Sequence, residues 1–301
     1  MTGIMYLIRR NVKLFFKDKG MFFSSLATPI ILLVLYVTFL YNVYYESFTA
    51  NLPEGLVVSD KIANGFVGSL LVSSLLAVCT VTVSFCANLF MVQDKVTGAR
   101  ADITMAPVKS STLALGYYFS TVINALLVCF TATGLGFIYL AKMGWYLSAA
   151  DVVFVFVDII LLVMFGTALS SIVCFYLTTQ GQMSAVGTIV SSGYGFLCGA
   201  YMPISQFSSG MQKVLSFLPG TYGTSLIRNH AMNGVFDEMK AKNLPEKFIL
   251  STREMFDCDL YFFDHKVSIG AMYGIVGGSV LLLIAIYVIM NIVQQKRMNA
   301  K

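Results

Sequence analysis

The sequence predicts an all-α integral membrane protein, and three observations carry that prediction. Only 12% of the 301 residues are charged, against roughly 25% in a soluble domain. Hydrophobic residues make up 57% of the chain, and its mean hydropathy is +0.77. Six apolar segments are each near or above the ~18–20 residues that a membrane-spanning helix needs. These segments are 21–45, 66–92, 113–141, 152–177, 183–201 and 267–293. We expect the whole chain, 1–301, to form one transmembrane domain.

Ahead of the first span, residues 4–19 are predicted to form an amphipathic helix. Arg9, Arg10, Lys13 and Lys17 fall within an arc of about 100° at helical periodicity, opposite the apolar side chains. Such a helix lies in the headgroup plane with its basic side facing anionic lipid. We therefore expect an interfacial helix before the first span.

Lys and Arg residues place both termini in the cytoplasm of a plasma-membrane protein. Just over half of them lie in the segments that would be inside, whereas the short outer loops 46–65 and 142–151 hold one Lys each. Short loops rich in Lys and Arg stay on the cytoplasmic side, and long translocated loops such as 202–266 are exempt. The net charge of +5 thus reflects membrane orientation, and we expect no nucleic-acid partner.

The inner loop 93–112 carries a motif that starts at Asp94. Asp94 and Lys95 supply charges, Thr97 and Gly98 form a glycine break, and Pro107 lies at the exit. This order resembles the first cytoplasmic loop of type-2 ATP-binding-cassette (ABC) exporter permeases. The resemblance implies that residues 97–106 are the coupling helix that docks into an ATPase subunit. The residues expected at that contact are Thr97, Gly98, Arg100, Asp102 and Pro107.

A second motif follows the fifth span. It reads Gly-Ala-Tyr-Met-Pro-Ile from Gly199 and Leu-Pro-Gly-Thr-Tyr from Leu218. Apolar stretches of ~10–14 residues broken by Pro and Gly are too short to span and suit re-entrant helices. The motif resembles the same family's segment at this place. It predicts outer re-entrant helices and an extracellular cap within 202–266, the charged part of the cap being 236–266. The motif residues are Pro203, Pro219, Tyr222, Arg228 and His230.

This resemblance covers the chain except for 236–266. It implies a permease subunit that pairs with an identical or a sister permease and with a separate ATP-binding subunit. ATP and Mg would be bound by that other subunit, and this chain would hold no cofactor. The sequence has no G-x-x-x-x-G-K-[ST] loop for phosphates, no catalytic constellation, and no Cys/His cluster at metal-ligand spacing. We therefore expect neither a catalytic nor a metal site.

Several polar residues in the apolar segments are candidates for a substrate path. A charge at the position of Asp158, within the fourth span, costs at least ~2.5–3.5 kcal/mol. It is expected to face either a cavity or a polar partner on a neighbouring helix. Asn88, Asn124 and Tyr194 are the other candidates. The lipid-exposed, aromatic-rich spans favour an amphipathic or apolar cargo such as a drug, an antibiotic or a lipid.

Three alternatives stay open at the level of sequence. A lipid-linked polysaccharide or teichoic acid is a second cargo class. An ATP-independent carrier would show inverted repeats, and an intramembrane enzyme would show charged residues at one depth; neither pattern is evident. Cys258, in the cap, is expected either to remain free or to pair with a partner chain.

Overall fold

The computed structural model describes residues 3–53, 58–106, 108–263 and 265–299. These described residues are 84% helical, which confirms the predicted all-α class. One short antiparallel hairpin, β1 (Tyr261–Phe262) paired with β2 (His265–Lys266), is the exception among these residues. The helices, in chain order, are α1 (Gly3–Lys17), α2 (Lys19–Leu35), α3 (Tyr41–Ala50), α4 (Asp60–Val96), α5 (Ala99–Met105), α6 (Ser110–Met143), α7 (Ala149–Tyr176), α8 (Gln180–Leu197), α9 (Ser209–Leu215), α10 (Pro219–Ala241), α11 (Glu246–Met255) and α12 (Ile269–Asn299).

Five helical runs in the described residues are long and apolar enough to cross a membrane. They are the α2–α3 run together with α4, α6, α7 and α12. The segment predicted as the fifth of six spans corresponds to α8, which has 18 residues and is therefore about 27 Å long. Helix α8 is rich in Gly, Ser and Thr, so it is less apolar than the other five. Length and composition thus support five spans. A sixth span requires that α8 also crosses the membrane.

The first apolar run, predicted over 21–45, is one continuous helical stretch that contains a wider turn. Asp18 caps the N-terminus of α2, where its carboxylate accepts a hydrogen bond from the Met21 amide at 3.1 Å. Pro29 lies inside α2, and a π-helical turn over Tyr36–Leu40 joins α2 to α3. π turns inside helices are often found at functional sites. The irregular part of this run faces α8, across the groove described below.

Helix α4 is the centre of the fold. Of its most apolar window, 94% is buried inside the chain, because α2, α6, α7, α8 and α10 pack around it. A helix that is hydrophobic on every side is expected to be buried in this way. Its 37 residues span about 55 Å, well beyond a hydrocarbon core of about 30 Å. Helix α4 therefore projects from the membrane and connects the α5 end of the molecule with the opposite end, which we call the cap end.

At the cap end, segment 202–266 differs in detail from its prediction. A single 3₁₀ turn (Ile204–Gln206) and the short α9 are followed by α10, which is 23 residues long. The boundary predicted at 236 falls inside α10. Helix α10 runs antiparallel to α7. A Cβ on Gly223 would meet Leu162, whereas Asn233, later in α10, bonds Asp151, which lies earlier in α7. Helix α10 thus begins beside the middle of α7 and ends at the cap end.

Close packing of α4 against α7 depends on Gly166. A Cβ at this position would lie 2.9 Å from Val81 Cα and 3.2 Å from the Thr80 carbonyl oxygen, and backbone atoms cannot move aside easily. Glycine therefore allows the two helices to approach, as small residues commonly do between membrane helices.

We predict that Gly166→Ala destabilises the protein, because overpacking of a tight core costs about 1–3 kcal/mol. The measurement is the free energy of unfolding in mixed detergent micelles. Gly134→Ala on α6 is the matched control, since a Cβ there meets nothing within 4 Å. Equal stability of the two variants would contradict the packing argument.

Candidate coupling site and transmembrane groove

The predicted coupling loop forms an exposed surface at the end of α4. Thr97 caps the C-terminus of α4, and its hydroxyl donates to the Gln93 carbonyl at 2.9 Å. Gly98 has a φ of +83°, in the left-handed region that glycine adopts without a steric cost. The chain turns there into α5, which contains no buried residue. Asp102 is exposed, and Met105 is 85% exposed. Pro107 lies outside the described residues.

Helix α5 is tied to the last span through Arg100. Its guanidinium lies 3.4 Å from the side-chain oxygen of Asn291 on α12. Asn291 is itself buried and donates to the Tyr287 carbonyl at 2.8 Å. The exposed helix therefore has a polar contact with α12 in addition to its covalent links to α4 and α6.

A buried network beside α5 joins α1, α4 and α6. Arg10 donates two hydrogen bonds to Asp94, at 2.7 and 3.1 Å, and the Tyr117 hydroxyl donates to the same carboxylate at 2.7 Å. The hydrogen bond to Asp94 raises the pKa of Arg10. The sequence pattern placed Arg10 on a lipid-facing basic stripe, whereas the structure turns it onto α4. Asp94 is the residue from which this contact could have been predicted, because an acidic side chain in the last turn of a buried helix needs a cationic partner.

Lys95, the next residue, caps a different helix. Its ammonium group donates to the carbonyl oxygens of Cys174, Phe175 and Leu177, at 2.8, 2.7 and 3.1 Å. The last carbonyls of a helix have no partner within it, and a cation there is favourable. Lys95 therefore fastens the α5 end of α4 to the turn between α7 and α8.

A groove of about 950 Å³ lies between α2 and α8 on the outer side of the chain. Its floor includes Cys86 and Leu89 of α4, and its walls combine apolar side chains with hydroxyl groups. Residues from both walls include Thr28, Ile31, Tyr36, Ser184, Thr188 and Ser192. The groove is thus mainly apolar with a row of weakly polar side chains, which suits an amphipathic molecule.

The polar residues predicted for the substrate path are not among the described residues that line the groove. Asn88 is buried within the chain, where it donates to Ser170 and Ser171 at 2.9 and 3.1 Å and accepts from Thr121 at 3.2 Å. Asn124 is also buried. Tyr194 packs against Gly220, so its ring fills the contact between α8 and α10. The described contacts of these residues are therefore helix–helix contacts.

Asp158 has two polar partners. Its carboxylate lies 2.6 Å from His230 Nδ1 on α10 and accepts a hydrogen bond from the Tyr273 hydroxyl on α12. The ring of Phe154 stacks on His230 at 4.9 Å. Asp158 is completely buried, and the cluster joins α7, α10 and α12. The sequence identified Asp158 and His230 separately but gave no sign that they meet.

The predicted re-entrant motif surrounds a buried arginine. Arg228 is 1% exposed; it bonds Asp257 at 3.1 Å, the Gly199 carbonyl at 2.7 Å and the hydroxyl of Ser74 at 3.1 Å. Burial raises the pKa of Asp257. Its carboxylate also accepts a hydrogen bond from the Ile204 amide at 2.6 Å, just after Pro203.

Two further motif residues shape the turn that precedes Arg228. Pro219 is the first residue of α10, a position where its missing amide costs nothing. The Tyr222 hydroxyl donates to the Ser216 carbonyl at 2.6 Å and closes the turn between α9 and α10. Cys258 is buried as a free thiol near this turn, with its sulfur 3.8 Å from that of Met232. Burial raises the pKa of Cys258 to about 12.

These observations define a multi-pass membrane protein with a short, exposed helix at one end. The comparison with protein families agrees: residues 42–293 match the model described as ABC-2 family transporter protein. Since this match covers most of the chain, the protein belongs to the ABC-2 family. It is a membrane transport subunit without catalytic function, the partner of an ATP-binding subunit in an ABC transporter. A search of the curated proteins finds no match.

Lys95→Met is predicted to loosen the turn between α7 and α8. Hydrogen bonds to a charged group contribute about 1.5–3 kcal/mol, and the variant leaves three carbonyls without this donor. We expect a lower free energy of unfolding and faster proteolysis near Thr178. Lys109→Met, an exposed Lys of the same loop, is the control and should change neither quantity. An unchanged proteolysis rate in Lys95→Met would show that the hydrogen bonds of Lys95 do not hold the turn between α7 and α8.

Proposed function

We propose that this chain is the permease of an ATP-driven exporter that moves an amphipathic or apolar molecule, such as a drug, an antibiotic or a lipid, out of the inner leaflet or cytoplasm. The observation that carries the proposal is α5, which has no buried residue. The end of α4 that leads into α5 is linked to α7 by Lys95 and to α1 by Asp94, and Arg100 of α5 contacts α12. A separate ATPase pair would bind ATP and Mg, close, and push on α5. The push would reach the turn between α7 and α8 and change the position of α8.

In this proposal α8 is the fifth of six spans, and both termini lie in the cytoplasm of a plasma-membrane protein. At about 27 Å, α8 is close to the thickness of the hydrocarbon core. Its hydroxyl-rich face suits a helix that lines a path rather than one that faces lipid. The 3₁₀ turn, α9 and the first turns of α10 would be the re-entrant part, since α10 begins beside the middle of α7.

The path would form between two permeases, identical or sister chains. The groove between α2 and α8 leaves apolar side chains exposed that a second copy would cover, and the two grooves would then face each other. A chamber formed in this way is lined by Thr28, Ser184, Thr188 and Ser192 among apolar residues. This lining supports an amphipathic cargo.

Removal of the two charged side chains of α5 is predicted to release the ATP-binding subunit. We expect Arg100→Ala combined with Asp102→Ala to reduce the ATPase that co-purifies in mild detergent by roughly tenfold, which corresponds to about 1.4 kcal/mol of binding. The quantity to measure is the ratio of the two subunits after tagged purification from the native host.

Arg297→Ala is the matched control, because Arg297 is an exposed cation at the same end of the molecule. It should leave the ratio unchanged. If the double variant retains its ATPase at an unchanged elution volume, α5 is not the docking element. If the unmodified chain purifies without any ATPase, ATP coupling itself fails.

Cross-linking is predicted to place α8 beside a second permease. Thr188→Cys, in the groove, should form a covalent dimer with a short bismaleimide in native membranes. Leu281 on α12 is also exposed but would face lipid, so Leu281→Cys should stay monomeric. Cross-linking of Leu281→Cys without that of Thr188→Cys would move the dimer contact away from the groove.

A further inference from the structure

A cluster of exposed aromatic rings lies at the cap end and has no role in the transport path proposed above. Phe217 precedes α10, and Phe262 and Phe263 form the tip of the β1–β2 hairpin. Phe217 and Phe262 are 5.3 Å apart, and Phe262 and Phe263 are 5.0 Å apart, both pairs edge to face. Their exposed fractions are 65%, 37% and 51%. The three rings pack on one another and do not belong to the buried core.

The neighbours of this aromatic cluster extend the apolar surface and add positive charge. Met211 and Val214 on α9 are both exposed. The ammonium group of Lys213 lies 5.8 Å from the centroid of Phe263, within the range of a cation–π interaction. Lys266 on β2 is half exposed and bonds Asp259 at 2.7 Å. Large aromatic and apolar side chains thus lie together with Lys213 in one small area.

The chain connection places the cluster at the membrane surface. Only Val267 and Ser268 separate β2 from Ile269, where α12 begins. Two residues span at most about 7 Å, which is the depth of one headgroup layer. Ile269 is exposed, as are Leu281 and Leu282 further along α12, so the lipid-facing side of α12 leads directly to the hairpin.

We propose that Phe217, Phe262 and Phe263 insert into the headgroup layer of the leaflet at the cap end, with Lys213 directed at lipid phosphates and Lys266 still paired with Asp259. Aromatic rings and Lys side chains are the groups that settle at this level of a bilayer. The insertion would anchor both the hairpin and the turn before α10, which Phe217 adjoins. The lipid contact depends on neither the cargo nor the ATP-driven step.

The test measures the depth of single Trp residues in full-length protein reconstituted into lipid vesicles. Trp145 is the only Trp in the chain, so Trp145→Phe provides a silent background. Phe262→Trp and, separately, Phe217→Trp keep an aromatic ring at the cluster. Leu250→Trp on α11, at an exposed cap position outside the cluster, is the control. The vesicles contain lipids brominated either next to the headgroup or near the acyl terminus.

We expect both cluster variants to lose about half of their emission or more with the shallow bromine, and less with the deep one, because Trp settles at headgroup level. The Leu250→Trp emission should change little. Emission of both cluster variants that is as insensitive as that of Leu250→Trp would overturn the proposal. Stronger quenching by the deep bromine would also overturn it. Emission that responds only to separation of the two permeases would assign the cluster to a contact between copies instead.

Discussion

The guanidinium of Arg228 holds together the parts of this molecule that are not continuous helix. It bonds the Gly199 carbonyl after α8, Asp257 after α11, and Ser74 on the central α4. Backbone N–H and C=O groups that are buried outside a regular helix need hydrogen-bond partners inside the protein. Arg228 and Asp257 together supply those partners on both sides of the chain reversal. Removing one of a buried charged pair leaves the other unpaired, which is strongly destabilising.

At the α5 end of the molecule, buried charged groups also find partners inside the protein, but these partners lie on several different helices. Asp94 and Lys95 are adjacent, yet the first binds Arg10 on α1 and the second binds the end of α7. Successive residues of a helix point about 100° apart, so two neighbouring charges reach two different elements. The exposed α5 is thereby connected to most of the bundle through short polar contacts. In the proposed mechanism, a displacement of α5 would move these elements together.

Helix α8 differs from the other long helices because it is partly polar and packs mainly against α4. The groove that it forms with α2 exposes apolar surface of a kind that monomeric soluble proteins rarely show. On the proposed assembly, this surface is the contact with a second permease and the wall of the substrate path. The same polarity keeps α8 below the apolarity of the five evident spans. A role as the wall of the substrate path would thus explain both the polar composition of α8 and its position beside the groove.

The sequence by itself determined the all-α membrane class, the position of the loop that carries α5, and the family, because hydrophobic length and short motifs are local properties. It also identified Asp158, His230 and Arg228 as unusual. Only the tertiary structure decided what these residues touch: Asp158 meets His230 across 72 positions of the chain, and Arg10 meets Asp94 across 84. Such contacts depend on how helices pack around α4, which no local pattern encodes. The length of α10 escaped prediction for a related reason, since its Gly and Ser residues are buried by α4 and α7 rather than left as a loop.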